Sequence, residues 1–141
     1  MNRRRPEAKV NVAIVGLGFG SAFPAIYEDH PDVGIVGICD RDTDLLNKVG
    51  DRFGIDRRHT DIEEVLASRE YNAVQVVTPV LTHADLTLQV LASGKHCACA
   101  VPMGTAQEEL HAIVDAESDA GLVYMMMETA VYTHHFLYAK E

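Results

Sequence analysis

VNVAIVGLGFGS, residues 10–21, decides the fold. Val10 to Val15 is a short apolar run rich in β-branched residues, which predicts a strand buried on both faces. Glycines follow at alternate positions, Gly16, Gly18 and Gly20, and a helix is predicted from Ser21 to His30, with Pro24 tolerated in its opening turn. A strand that passes through a glycine-rich turn into a helix leaves unpaired backbone N–H groups at the positive end of the helix dipole. An anion can lie there. Read as G-x-G-x-x-G/A, the turn uses Gly16 for the sharp bend and Gly18 for bare backbone beside a ligand. Ser21 is then the small residue that lets helix pack on sheet, and Phe19 and Gly20 complete the loop.

Working outward, the same rhythm repeats. Val33 to Cys39 is the second strand, followed by a helix from Thr43 to Phe53 with Leu45, Leu46, Val49 and Phe53 on one side and Gly54 as its cap. A short third strand is predicted at Arg58 to Thr60, then a helix carrying Ile62, Val65 and Leu66. The fourth strand is Ala73 to Val77. Thr82 opens the next helix, with Asp85 completing a capping box and Gly94 ending it. His96 to Ala100 is the fifth strand. Thr105 and Glu108 form another capping box, Leu110, Ile113 and Val114 give the buried face, and Gly121 closes that helix before a sixth strand at Leu122 to Met127. Six strands alternating with helices predict an α/β, doubly wound, mainly parallel Rossmann sheet with helices on both faces and spatial order 3-2-1-4-5-6. Residues 1–9 read as a flexible arm, 10–130 as the dinucleotide-binding domain, and 131–141 as the start of a crossover.

In this fold the glycine turn holds a diphosphate, and an acidic residue ending the second strand accepts the adenosine ribose hydroxyls. Asp40 stands there, twenty residues beyond Gly20. Its carboxylate repels a 2′-phosphate and points to NAD. Arg41 beside it keeps NADP as the alternative, since a guanidinium can pair with that phosphate. A rival reading is a methyltransferase using S-adenosylmethionine, which employs a similar glycine turn and acidic residue.

The chain of 141 residues carries a net charge of −9, which argues against nucleic acid or an anionic membrane as a partner. No apolar run approaches the ~20 residues of a membrane helix. The basic cluster Arg3, Arg4 and Arg5 reads as part of the solvated arm, and the cytoplasm is the expected location. Cys39, Cys97 and Cys99 all fall in predicted strands, with the last two on one face. That spacing suits neither a disulfide between them nor a metal site, and buried packing is expected. Met125, Met126 and Met127 likewise read as core packing.

Thr78-Pro79 after the fourth strand, Thr82-His83 at the next helix, and Ala92-Ser93-Gly94-Lys95-His96 before the fifth strand join the glycine turn and Asp40 in one pattern. Together they resemble the N-terminal domain of the glucose–fructose oxidoreductase / inositol dehydrogenase / MocA family over about residues 10 to 130. The resemblance implies an NAD(P)-dependent oxidoreductase acting on sugars, polyols or related compounds, with Thr78, Pro79 and His83 bordering the cofactor. It also implies a cis Val101–Pro102 bond. Two departures bear on activity. Where the family has Glu-Lys-Pro, this chain has Ala100, Val101 and Pro102, so the family's acid–base lysine is a valine without a transferable proton. The C-terminal domain that completes the substrate pocket also lies beyond Glu141, so the isolated chain is expected to bind dinucleotide without turnover. His83 and His134 are the candidates for a replacement acid–base group; the adjacent His134 and His135 point apart and do not suit one metal ion. A non-catalytic dinucleotide sensor is the alternative that Val101 favours. Apolar surface around the sixth strand predicts a homo-oligomer.

Overall fold

The computed structural model describes residues 9–140. Strands β1 (Val10–Val15), β2 (Val33–Cys39), β3 (Arg58–His59), β4 (Ala73–Val76), β5 (His96–Ala100) and β6 (Tyr124–Met127) form one sheet, all neighbouring pairs parallel, in the order β3-β2-β1-β4-β5-β6. This is the doubly wound order that the sequence predicts. Helices α1 (Leu17–Gly20), α2 (Pro24–Glu28), α3 (Thr43–Phe53), α4 (Ile62–Ala67), α5 (His83–Ala92), α6 (Gln107–Ala120) and α7 (His134–Lys140) alternate with the strands, and Val80–Thr82 and Thr129–Tyr132 are single 3₁₀ turns. All but Lys9 of the expected arm, and the terminal Glu141, lie outside the described residues.

The strand period of two sorts the apolar residues into two cores. Ala13, Val15, Cys39, Val74, Val76, Cys97 and Cys99 face one way, against Val65 of α4, Val90 and Leu91 of α5 and Ala116 of α6. Ile14 and Ile38 face the other way, against Leu17, Phe23, Leu46 and Val49 of the first three helices and their joints. Right-handed crossovers carry β1–β3 leftward under one set of helices and β4–β6 rightward under the other. The second face of β4–β6 therefore has no helix of its own among the described residues. Met125 is exposed and Met127 half-buried on that face, while Met126, also exposed, points to the face of α5 and α6, so two of the three methionines expected in the core lie on the surface.

Several local expectations change for identifiable reasons. The helix expected over Ser21 to His30 is two short helices. It begins four residues earlier, at Leu17, and breaks at Ser21, which ends α1. Thr82 does not form a capping box with Asp85: its Oγ1 donates to Pro79 O at 2.7 Å, and the Asp85 carboxylate accepts from Gln89. The cap of α6 is shifted by one residue. The Glu109 carboxylate, not that of Glu108, accepts from the N–H groups of Thr105 and Ala106, and these bonds hold its pKa below the usual carboxylate range. Ile113 is buried as predicted, but Val114 is 58% exposed, because the turn of α6 carries it past the sheet. The third strand stops at His59, the fourth at Val76, and the sixth starts at Tyr124. Helix α3 ends as expected at Gly54, whose φ of 64° a side chain would resist. The Val101–Pro102 bond is cis.

All three cysteines are free and buried. Burial pushes the Cys39 and Cys97 thiols up to about 12, with Asp40, Asp61 and Glu64 adding to the effect at Cys39, and it raises Cys99 as well. A thiol reagent at pH 8 is expected to label none of them in the native chain and all three in denaturant, because the reactive thiolate is scarce and shielded. Rapid native labelling of any one would show that its strand opens. Among the described residues, no helix is long and apolar enough to cross a membrane.

Candidate functional site

The site begins at Gly16. Its φ of 94° lies where only glycine is at ease, and a Cβ there would sit 2.8 Å from the carbonyl oxygen of Val77 at the end of β4. Gly16 N–H in turn donates to Cys39 O at 2.9 Å, so the turn is pinned between β2 and β4. Gly18 differs. It is exposed, and a Cβ added there would meet nothing within 4 Å. No atom of the chain requires glycine at this position; a ligand lying on the backbone would. Gly20 is the third tight position, where a Cβ would come within 2.9 Å of Val77 Cγ2 and 3.1 Å of Ile14 Cγ2. The small residue that lets helix meet sheet is thus Gly20, one place before the Ser21 of the sequence reading. Ser21 is half-buried at the end of α1.

Asp40 reaches the mouth of this turn. Its Oδ2 accepts the Leu17 N–H at 2.7 Å and its Oδ1 accepts the Asp42 N–H at 2.9 Å. Each carboxylate oxygen keeps lone-pair capacity for a further donor. A cleft of ≈ 570 Å³ opens beside it, lined by five of the residues singled out from the sequence: Gly16, Asp40, Arg41, Thr78 and Pro79. The cleft also takes in residues that the sequence reading missed. Asp61, Ile62 and Glu63 come from the start of α4, and Asp85, Leu86 and Gln89 from α5. The available signal was positional, since α4 follows the strand paired with β2, whose end carries Asp40. Ile62 and Leu86 give the cleft apolar walls, and its carboxylates outnumber its single guanidinium, Arg41.

The loop after β4 is held by its own hydroxyls. Thr82 donates to Pro79 O, so the 2.7 Å contact between Thr78 and Thr82 hydroxyls has Thr78 as donor. His83 is neither solvated nor free for proton transfer. It is 1% exposed, with Nδ1 2.7 Å from Pro102 O and Nε2 2.8 Å from Thr78 O, and it lines neither the cleft nor the hollow described next. His134 and His135 start α7, exposed and likewise away from both.

Across the glycine turn lies a second, smaller hollow of ≈ 250 Å³ on the opposite sheet face, the one left open over β4–β6. Phe19, 64% exposed and edge-to-face with Phe23 at 5.8 Å, stands at one side and Val101 at the other. Gln75 and Met127 also line it. Val101 thus occupies the site's rim and offers it only methyl groups. Among the described residues, no group of three or more His, Cys, Asp or Glu side chains is placed to hold a metal ion.

A family model described as an oxidoreductase family with an NAD-binding Rossmann fold matches residues 10–128. The chain is similar to a D-apiose dehydrogenase of Rhizobium rhizogenes, at 31% identity over 117 residues that make up 82% of this chain and 34% of that protein. Among solved structures it resembles GenD2 from gentamicin A biosynthesis in complex with NAD, with a TM-score of 0.85 and 27% identity over 99% of this chain and 40% of that one. An oxidoreductase from Agrobacterium radiobacter in complex with NAD+, L-tartaric acid and magnesium aligns with a TM-score of 0.80 and 30% identity, covering 85% of this chain and 35% of that one. The chain therefore spans about a third of the length of such relatives.

Proposed function

The chain belongs to the Gfo/Idh/MocA oxidoreductase family, and from that premise we propose that it is the NAD-binding part of a dehydrogenase acting on a sugar, a polyol or a related compound. The observation that supports the reading is the 2.7 Å hydrogen bond from Leu17 N–H to Asp40, which ties the carboxylate at the end of β2 to the glycine turn, next to the open backbone of Gly18. NAD, when bound, would supply the hydride carrier. The chain's own residues bind and orient it. The backbone around Gly18 and Phe19 faces the diphosphate, and Asp40 accepts the ribose hydroxyls. Ile62 and Leu86 pack on the adenine, while Thr78 and Pro79 border the cofactor from the β4 side. Asp61, Glu63 and Asp85 add negative charge to the adenosine end of the cleft, which disfavours the 2′-phosphate of NADP beyond what Asp40 does alone.

Val101 supports a second reading, that of a dinucleotide sensor without turnover, since no proton can be exchanged at the position where the family places lysine. In both readings this chain binds the cofactor. Met125, exposed on the helix-free face of β4–β6, favours self-association through that face.

A thermal-shift series with NAD, NADP and S-adenosylmethionine tests the common core of these readings. Ligand at a hundred times its dissociation constant adds ~2.7 kcal/mol, which for a domain of this size raises the melting temperature by several degrees, roughly 2–8 °C per kcal/mol. NAD is expected to give the largest rise at equal concentration and NADP a smaller one. A shift with S-adenosylmethionine and none with NAD would overturn the assignment.

A further inference from the structure

Gln75 is the one polar side chain on the inner run of β4, and the fold buries it completely, at 0% exposure. Its Nε2 has only the Met127 thioether, a weak acceptor, at 3.5 Å, and its Oε1 is buried without any partner. Turning the amide over does not cure this, because the other heteroatom is then left against sulfur or against nothing. Buried amides in folded proteins almost always have partners, so an orphan at the wall of a hollow marks a place where one is supplied from outside.

Apart from Thr129, the rest of the hollow it lines is apolar, with Phe19, Phe23, Val77, Ala100 and Met127 around it and Val101 at the rim. It lies on the opposite side of the glycine turn from the Asp40 cleft and on the opposite face of the sheet. A dinucleotide whose diphosphate rests on the turn and whose adenosine fills the Asp40 cleft has its other base on this side. That base is a flat ring bearing one carboxamide, a group with both a donor and an acceptor. It matches an unpaired amide in either orientation.

Resting on the NAD reading above, we propose that Gln75 is the recognition group for the nicotinamide carboxamide, pairing with it amide to amide and so fixing how the ring lies in the Phe19–Val101 hollow. Gln75 is then a specificity residue for the cofactor's reactive end, as Asp40 is for its adenosine end.

Calorimetry on the full 141-residue chain tests this with NAD, with ADP-ribose, which lacks the ring, and with 3-acetylpyridine adenine dinucleotide, which has a methyl ketone in place of the carboxamide. Wild type is expected to prefer NAD over the acetylpyridine analogue by about tenfold. Gln75→Met, which keeps volume and removes the amide, is expected to lower NAD affinity about tenfold, to abolish that preference, and to leave ADP-ribose unchanged. The ADP-ribose result shows in the same variant that the fold and the adenosine cleft are intact. If Gln75→Met leaves the preference as in wild type, or lowers NAD and ADP-ribose alike, the assignment of Gln75 is wrong while the cofactor reading stands. If wild type binds none of the three, both fall.

Discussion

Gly18→Ala is expected to raise the stability of the chain slightly and to lower its affinity for NAD at least tenfold, whereas Gly16→Ala is expected to lower stability by ~3 kcal/mol or more. The two substitutions add the same methyl group two residues apart, and their surroundings give them opposite signs. Gly18 lies outside the left-handed region, and its added Cβ meets no protein atom within 4 Å. Replacing glycine there removes freedom from the unfolded chain at no native cost, a gain of ~0.4–1 kcal/mol. In the proposed binding mode, the methyl stands where the diphosphate approaches the backbone. Gly16 has a φ of 94°, and its methyl would press on the Val77 peptide at 2.8 and 2.9 Å, backbone that cannot swing aside as a side chain could. A fall of ~10 °C or more in melting temperature follows for a domain of this size. Thermal denaturation and NAD titration of both variants make the check. If Gly18→Ala melts lower and still binds NAD as wild type does, the glycine serves the fold and the diphosphate lies elsewhere.

The strands and their order were legible because each signal is local: a β-branched run such as Val10 to Val15 or Ala73 to Val77, bounded by glycine, proline or a cap. Asp40 was legible because the fold places the end of β2 beside the turn after β1, and Gly16 N–H to Cys39 O is that adjacency made concrete. What escaped depends on partners distant in sequence. The helix starts at Leu17 because Gly20 has to slide under Val77, a contact across 57 residues that glycine spacing alone cannot distinguish from a Ser21 contact. Thr82 fits a cap by pattern, yet the tight loop after β4 offers its hydroxyl the nearer Pro79 carbonyl. Gln75 hides in an otherwise apolar strand, and its lack of a partner appears only when the sheet is assembled.

His83 escaped for the same reason, and its removal is expected to be among the most costly single changes in the chain. His83→Ala should lower stability by ~3–5 kcal/mol, since it opens a buried cavity and removes the ring that lies between two carbonyl oxygens and donates to at least one of them. The ring joins Thr78 O, at the end of β4, to Pro102 O, in the cis turn after β5, at 2.8 and 2.7 Å. Both partners are acceptors. A neutral imidazole carries one N–H and serves one of them; only the doubly protonated ring serves both. No aliphatic residue replaces a ring N–H donor, so His83→Leu, which restores bulk, is expected to recover only the cavity part of the loss. Thr78 lines the Asp40 cleft, and Pro102 follows Val101 at the rim of the second hollow, so the clamp sets these two hollows, the proposed two ends of the cofactor site, against each other. NAD affinity should therefore fall in both variants beyond what ADP-ribose loses, because ADP-ribose needs only the first end. Denaturant melts of wild type and the two variants separate the terms. A His83→Ala chain within 1 kcal/mol of wild type would mean that water satisfies both carbonyls and that the loops hold without the ring.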